Sequence, residues 1–440
     1  MKRFRNIVGQ VVVAARTPDR WQKIRPCDVI LQVGDGGRNY TYQGRAYQSL
    51  FDSMGDFLTD RGLTVLTVSD FPGTRLTGIN AHNDPISCNR ELLFMMLKRK
   101  VIQLMAGKAK ADDWFNRRGP IYLWCRIMEA AAPRCVIGNM PSPYLCRAGK
   151  MKGVPVYDLQ HGVISDQHPW YGVKYRLEPA EDLVDGFLCW DETSAKTLRK
   201  WAPQKGIDVR VIGNPWFLRF MFQKPSDQLV NDALNRDRIA NNKPTILISL
   251  QWGMDEFPDQ VPNRVMVDAL EKTILETADS YNWFIRLHQI QSTGKEKKMV
   301  HKYLERTFGH LDSVEWSKCS ELPLPVLLKQ VSLHITFYSS VVIEAGWMGV
   351  RTALLARELL PGGRFDKYFA YERDLGIASV LAQDVTAIKK WIEENINKEK
   401  AKSTLKDQRK ALQAFIDEIA SARVGKKLDT IHQPLSGYKN

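Results

Sequence analysis

Residues 28–69 read DVILQVGDGGRNYTYQGRAYQSLFDSMGDFLTDRGLTVLTVS. The apolar run Asp28 to Val33 breaks at the turn Gly34-Asp35-Gly36-Gly37. Tyr47, Leu50, Phe51, Met54 and Leu58 then recur at helical spacing between Ala46 and Asp60. Gly62 stops that helix, and Thr64 to Ser69 is a β-branched run. A strand, a tight turn, a helix and a second strand in this order are the content of a βαβ crossover, the connection that parallel strands need.

The alternation continues along the chain. Short apolar runs at 135–137, 154–159, 186–190 and 209–212 end in or run up to Gly, Asn or Pro, as strands of a buried parallel sheet do. After Gly213-Asn214-Pro215 and a charged, helical stretch from Phe217 to Lys243, a second series begins with TILISL (245–250). WFIRL (283–287), LHITF (333–337) and Thr352 to Leu355 continue it. Two Rossmann-like α/β domains are expected, facing across a cleft: 1–213 and 214–384. Residues 385–440 should form C-terminal surface helices and a tail, with Ile388, Trp391, Ile392, Leu405, Leu412, Phe415, Ile416 and Ile419 on their packed faces.

Composition bounds the function. At 440 residues, 44% hydrophobic and 25% charged, the chain is neither disordered nor fibrous. Its most apolar stretch, Val331 to Val350, is interrupted by His334 and Glu344, so no spanning helix is expected. Seven cysteines without a Cys-x-x-Cys pair point to reduced thiols rather than disulfides or zinc. Lys2, Arg3 and Arg5 precede an apolar segment, Ile7 to Ala15, that is short and polar for an export signal. A cytoplasmic location is therefore expected. The net charge of +14 calls for an anionic partner, and twelve Lys/Arg stand against three Asp/Glu between Phe94 and Lys152. The basic residues are not interleaved with aromatics in any nucleic-acid module, so nucleic acid is not expected as the partner. An anionic membrane surface at the inner face of the cytoplasmic membrane is.

Chemistry concentrates where strands end. In VYDLQHGVISDQHPWY (156–171) a strand runs into Gln160-His161-Gly162, which puts His161 at the carboxyl end of a parallel strand, the usual ligand position of open α/β sheets. A histidine near its ordinary pKa can take a hydroxyl proton, with Asp158 or Asp166 to orient it. His168 in the same loop is a second candidate, and helix capping is the bland reading of both histidines. Gln160, Gly162 and Gly36 are candidate acceptor contacts, and Asp35 is the reserve base, although Gly34-Asp35-Gly36-Gly37 reads equally well as a plain turn. In the second half, strands end in Gln251, in Arg286 and His288, and in Ser339-Ser340 before a helix carrying Glu344. Hydroxyls and free N–H groups at a helix start suit a phosphate, and a carboxylate suits ribose hydroxyls; capping serines and a solvated Glu344 are the alternative. No Asp-x-Asp, His-Glu-x-x-His or P-loop motif occurs, so no metal and no cofactor are expected.

DLQHGVISDQHPWY, GFLCWDE (186–192) with Val211 to Pro215, and ITFYSSVVIEAGWMGVRTALL (335–355) resemble segments of bacterial capsule and lipopolysaccharide glycosyltransferases of the GT-B architecture. The likeness extends to sialyl- and polysialyltransferases and to CDP-glycerol glycerophosphotransferases, and covers roughly residues 130 to 360. It implies His161 as a catalytic residue, His288 as a donor-phosphate contact and Ser339 with Ser340 as a phosphate clamp. His288-Gln289 stands where the sialyltransferase pattern has His-Pro. The reading that results is a metal-independent transferase. It moves a sugar from a CMP- or UDP-linked donor to a glycan or lipid-linked acceptor in surface polysaccharide or lipopolysaccharide synthesis. A CDP-polyol phosphotransferase, a sugar-nucleotide epimerase and a nucleic-acid-binding protein are the alternatives.

Overall fold

Each of the ten apolar runs becomes a parallel strand. The computed structural model describes residues 19–34, 38, 40–69, 80–236, 243–292, 294–405 and 408–421; Asp35, Gly36 and the basic N-terminal segment lie outside the described residues. The first sheet contains β1 (Val29–Val33), β4 (Val65–Ser69), β5 (Cys135–Gly138), β6 (Val156–Leu159), β7 (Gly186–Cys189) and β8 (Asp208–Val211). A separate hairpin is formed by β2 (Tyr40–Tyr42) and β3 (Arg45–Tyr47). The second sheet contains β9 (Thr245–Ser249), β10 (Asn282–Arg286), β11 (Val314–Glu315), β12 (Leu333–Thr336), β13 (Arg351–Leu354) and β14 (Ala378–Val380).

Spatial order is β4-β1-β5-β6-β7-β8 in the first sheet and β11-β10-β9-β12-β13-β14 in the second. All ten pairings within the two sheets are parallel. β1 and β9 are buried at every position, because helices cover both faces of each sheet and leave no side for polar alternation. These are two Rossmann-like α/β domains in the GT-B arrangement.

The helices that matter for the site and surface are α1 (Ser49–Asp60), α2 (Asn89–Ala106), α3 (Lys108–Arg118), α4 (Pro215–Met221), α5 (Val341–Trp347), α6 (Val385–Asn395) and α7 (Arg409–Ser421). The first begins three residues later than its apolar spacing suggests. Gln43 (φ 50°) and Gly44 (φ +73°) form a two-residue turn that folds Arg45 to Tyr47 back as a strand. Gln48 then caps α1, its Oε1 accepting the Phe51 N–H at 2.6 Å.

The junction between the domains is packed. Gly213 sits at φ +80°, and an added Cβ would lie 2.9 Å from both Gln408 and Leu218. Asn214 Oδ1 accepts the N–H groups of Trp216 (3.0 Å) and Phe217 (3.3 Å), and Pro215 starts α4. Phe217 of α4 and Trp190 of the first domain meet Trp347 of the second domain edge to face, at 5.2 and 5.8 Å. As expected, Ile388, Trp391 and Ile392 are buried on α6 and Leu412, Phe415, Ile416 and Ile419 on α7, whereas Leu405 lies outside any helix. Helix α7 crosses back to the first domain, where Phe415 packs on Tyr157 at 5.4 Å and Arg134 donates to the Ile419 and Ala420 carbonyls. Among the described residues, no helix is long and apolar enough to cross a membrane.

Candidate active site

The carboxyl ends of both sheets open on one interdomain cleft of about 410 Å³. Its first-domain wall includes Tyr40, Gln48, Asn139, His161 and Trp190; its second-domain wall includes Arg286, His288, Ser339, Ser340 and Glu344. Numbered within its own sheet, the second domain has strand order 3-2-1-4-5-6, and its direction of winding reverses between β9 and β12. Ligands of such sheets sit at that reversal, beyond the strand ends. Another cavity, of about 430 Å³, lies at the far end of α1, but its charges are engaged with one another. There Arg219 donates to both Asp227 oxygens, to Asp56 and to the Tyr47 hydroxyl, each at 2.7 Å.

On the second-domain wall, His288 holds its loop through its own backbone. Its N–H donates to Gln291 Oε1 at 2.8 Å, and its Nδ1 accepts the Ile290 N–H at 3.3 Å. The ring is exposed to cleft water, while the protein mass around it lowers its pKa; with Nδ1 accepting, the neutral ring carries its proton on Nε2, as a donor. Ser339 Oγ accepts the Val341 N–H at 3.3 Å. With only seven residues, α5 contributes little dipole, and hydroxyls and first-turn N–H groups are the useful donors. Arg286 is anchored by the carbonyls of Cys319 (2.6 Å) and Leu322 (2.7 Å), and its charge is the wall's positive pole.

Two expectations on this wall change. Gln251 does not line the cleft: its Oε1 accepts the Tyr338 N–H and its carbonyl accepts Gln291 Nε2, so it ties the serine loop to the histidine loop. Desolvation pushes the Glu344 carboxyl up to about 8 against the pull of Arg286. The group is only half-buried and faces cleft water, which moderates that rise. A protonated acid accepts through one oxygen, so the expected two-oxygen grip on ribose needs the ionised form.

On the first-domain wall, His161 is exposed to cleft water, while the protein mass around it and then the neighbouring His168 hold its pKa down to about 4. Water in the open cleft moderates the shift, and the ring is neutral at pH 7 either way. Its Nδ1 lies 3.4 Å from the Tyr171 hydroxyl, which donates to Asp158 Oδ2 at 3.0 Å. Asp158 also accepts the Met140 N–H at 3.0 Å, and burial raises its carboxyl to about 7. Asp166, the other carboxylate considered for orienting a histidine, is paired with Arg176 and Lys200.

Three further candidates do not line the cleft. His168 is a helix cap, its Nδ1 accepting the N–H groups of Trp170 (3.3 Å) and Tyr171 (3.4 Å), and it is not on the cleft wall. Gln160 is buried and its amide turns inward, donating to the Gly162 carbonyl and Ser194 Oγ and accepting the Trp190 N–H, so it is not presented to the cleft. A Cβ at Gly162 would meet nothing within 4 Å, so no close passage requires glycine there. Two residues not foreseen take their place. Asn139 Oδ1 and Trp190 Nε1 are buried polar atoms without a hydrogen-bond partner among the described residues, and both residues line the cleft. The only sequence signal for Asn139 was its place at the end of strand β5.

No protein-family model matches the sequence, and no curated protein is similar to it. Solved structures do match over nearly their whole length. The UDP-GlcNAc 2-epimerase from Methanocaldococcus jannaschii has a TM-score of 0.54 at 11% identity, covering 90% of this chain and 99% of its own. The Neisseria meningitidis UDP-GlcNAc 2-epimerase, solved bound to UDP-GlcNAc, gives 0.54 at 14%, covering 89% and 99%. The wall teichoic acid polymerase TagF, soaked with CDPG, gives 0.54 at 14%, covering 96% of both chains. At these identities the likeness establishes the shared two-domain fold.

Proposed function

We propose that this protein is a metal-independent glycosyltransferase that moves a sugar from a CMP- or UDP-linked donor to a surface polysaccharide or lipopolysaccharide precursor. The observation that carries this reading is the cleft itself, where a neutral histidine of one domain faces a wall of Arg286, His288, Ser339 and Ser340 on the other. The donor phosphate lies on that wall, where N–H and O–H donors and the guanidinium offset leaving-group charge. The acceptor hydroxyl lies by His161, with Asn139 and Trp190 as contacts. His161 Nε2 takes the hydroxyl proton as the acceptor oxygen bonds to the anomeric carbon. The bond from that carbon to phosphate oxygen breaks, and the nucleotide leaves with the electron pair.

The 96% mutual coverage with TagF favours a second reading, transfer of a polyol phosphate from a CDP-polyol, by the same base and clamp. Product analysis separates the two. Acceptor-dependent release of UDP or CMP from a nucleotide sugar supports glycosyl transfer, and CMP release from a CDP-polyol supports the second. An epimerised sugar formed without acceptor would reject both.

A membrane surface remains part of the proposal, in a narrower form. Of the basic residues between Phe94 and Lys152, Arg99, Arg117, Arg126, Arg134, Arg147, Lys150 and Lys152 are held in ion pairs. Lys98, Lys100, Lys108 and Lys110 form no ion pair among the described residues. Lys98 and Lys100 lie on α2 beside its apolar face, where Phe94, Leu97, Val101, Leu104 and Met105 are 52–83% exposed, and Lys108 and Lys110 begin α3. Apolar residues at this helical spacing, rimmed by lysines, fit the headgroup boundary of an anionic bilayer. Replacing Phe94, Leu97 and Leu104 by Ser should abolish flotation with phosphatidylglycerol vesicles. Unchanged flotation would remove the membrane from the proposal.

A further inference from the structure

The proposed base needs a lone pair on the nitrogen that meets the acceptor, and a neutral imidazole has two ways of placing its single proton. We infer that Tyr171 and Asp158 act as positioning residues that fix the proton of His161 on Nδ1 and so leave Nε2 free to act as the base. This inference rests on the reading of His161 as the base. The geometry is a chain of three side chains running inward from the cleft: His161 Nδ1, the Tyr171 hydroxyl at 3.4 Å, and Asp158 Oδ2 a further 3.0 Å on.

The direction of the chain is set at its buried end. Ionised Asp158 can only accept, so Tyr171 donates its one proton to it. The phenol oxygen is then left to accept, and the group it faces is Nδ1 of His161. Everything that holds the inner end is fixed: Asp158 is 1% exposed, ends its reach at the Met140 N–H (3.0 Å), and Tyr171 is 1% exposed. Of the titratable groups around Asp158, Tyr175, Cys146 and Cys189 keep their protons because burial raises their pKa, and Lys174, Glu178 and Asp182 line a small cavity that Asp158 also reaches. Lys174 is paired with Glu178, and among the described residues no cation is hydrogen-bonded or ion-paired to the Asp158 carboxylate, which takes its bonds from Tyr171 and the Met140 N–H. When Nε2 takes the acceptor's proton, the imidazolium is stabilised by the Asp158 charge relayed through the phenol, with no further proton moved.

Asp158→Asn reverses the chain. The Asn carbonyl keeps the Met140 N–H, so its NH2 donates to the Tyr171 oxygen. Tyr171 then donates to Nδ1, and the His161 proton moves to Nε2, where it blocks the base. Tyr171→Phe removes the middle link and leaves both tautomers of His161 populated.

The test reads the tautomer directly. Two-bond proton–nitrogen spectra of the full protein with 15N-histidine, assigned by the signals lost in His161→Gln, should give the Nδ1–H pattern in the wild type at pH 8. Asp158→Asn should give the Nε2–H pattern, and Tyr171→Phe averaged signals. An Nε2–H pattern in the wild type, or Nδ1–H retained in both variants, would overturn the inference. Kinetics supply a second readout: Asp158→Asn should lower kcat by roughly 10²–10⁴-fold, the range spanned by a lost general base and a misplaced tautomer, with donor KM nearly unchanged. A raised KM at unchanged kcat would contradict it. Failure of the functional reading looks different: the tautomer pattern would be as expected, yet His161→Ala would retain turnover.

Discussion

The second-domain wall of the cleft is assembled from short loops that hold one another, Gln251 to Tyr338 and Gln291 to His288, so its donors stand directly at the strand ends. The first-domain wall presents the imidazole of His161, which contacts two side chains buried behind it, Tyr171 and through it Asp158. The contrast fits the division of labour proposed for the two walls. Holding a nucleotide diphosphate or monophosphate requires many fixed donors and no change of protonation. Accepting a proton requires one group whose protonation state is controlled from a distance.

Substitutions that separate binding from turnover break this comparison most sharply. His161→Ala should leave nucleotide affinity intact and lower turnover by roughly 10²–10⁴-fold, the usual worth of a general base. Wild-type turnover in the folded variant would remove the asymmetry between the walls. The opposite signature is expected from Ser339→Ala with Ser340→Ala. Donor affinity by calorimetry should weaken by about tenfold or more, since a hydrogen bond to a charged group contributes roughly 1.5–3 kcal/mol.

Proton control also sets a pH dependence for the first wall, distinct from any change in ribose binding that Glu344 brings on the second. Burial raises Asp158 to about 7, and its ionised form is the one that makes Tyr171 donate inward. Below that pH the protonated carboxyl can donate to Tyr171 and reverse the chain, so kcat at saturating donor should fall by about tenfold per pH unit. The linkage runs the other way for stability. Because the folded pKa lies above the unfolded one, near 3.9, the contribution of this group is fully present at low pH and is lost as pH rises through about 7. The form that positions His161 is thus the less stable one. A kcat that is flat from pH 5.5 to 8.5 would show that Asp158 does not govern the base.

How much of this could be read from the chain differs between the walls for the same reason. Strand ends are local, and so His161, Arg286, His288, Ser339, Ser340 and Glu344 were legible from apolar runs that stop at polar residues; all six line the cleft. Polarity alone does not say which way a residue at a strand end turns, and Gln160 and Gln251 turn inward to tie loops together. His334 shows the same limit in the core: it interrupts an apolar strand, yet it is fully buried between Ser249 Oγ and Thr352 Oγ1 at 3.0 Å each. The Asp158–Tyr171–His161 chain was only half visible, because Asp158 alternates out of register with the cleft and Tyr171 enters from a later helix. The β2–β3 hairpin was hidden by its Gln-Gly turn, in which a residue other than Asn, Asp or Gly takes the first positive-φ position. Helical spacing in Tyr47 and Leu50 then extended the expected helix across a strand.

The most direct test is a crystallographic soak of the full chain with CMP, CDP, UDP, GDP and ADP in parallel. A cytidine or uridine nucleotide should occupy the interdomain cleft with its phosphates against His288, Ser339 and Ser340 and with His161 across from them. Nucleotide bound instead at the cavity beside Arg219, or in neither place at saturating concentration, would contradict the assignment of the cleft.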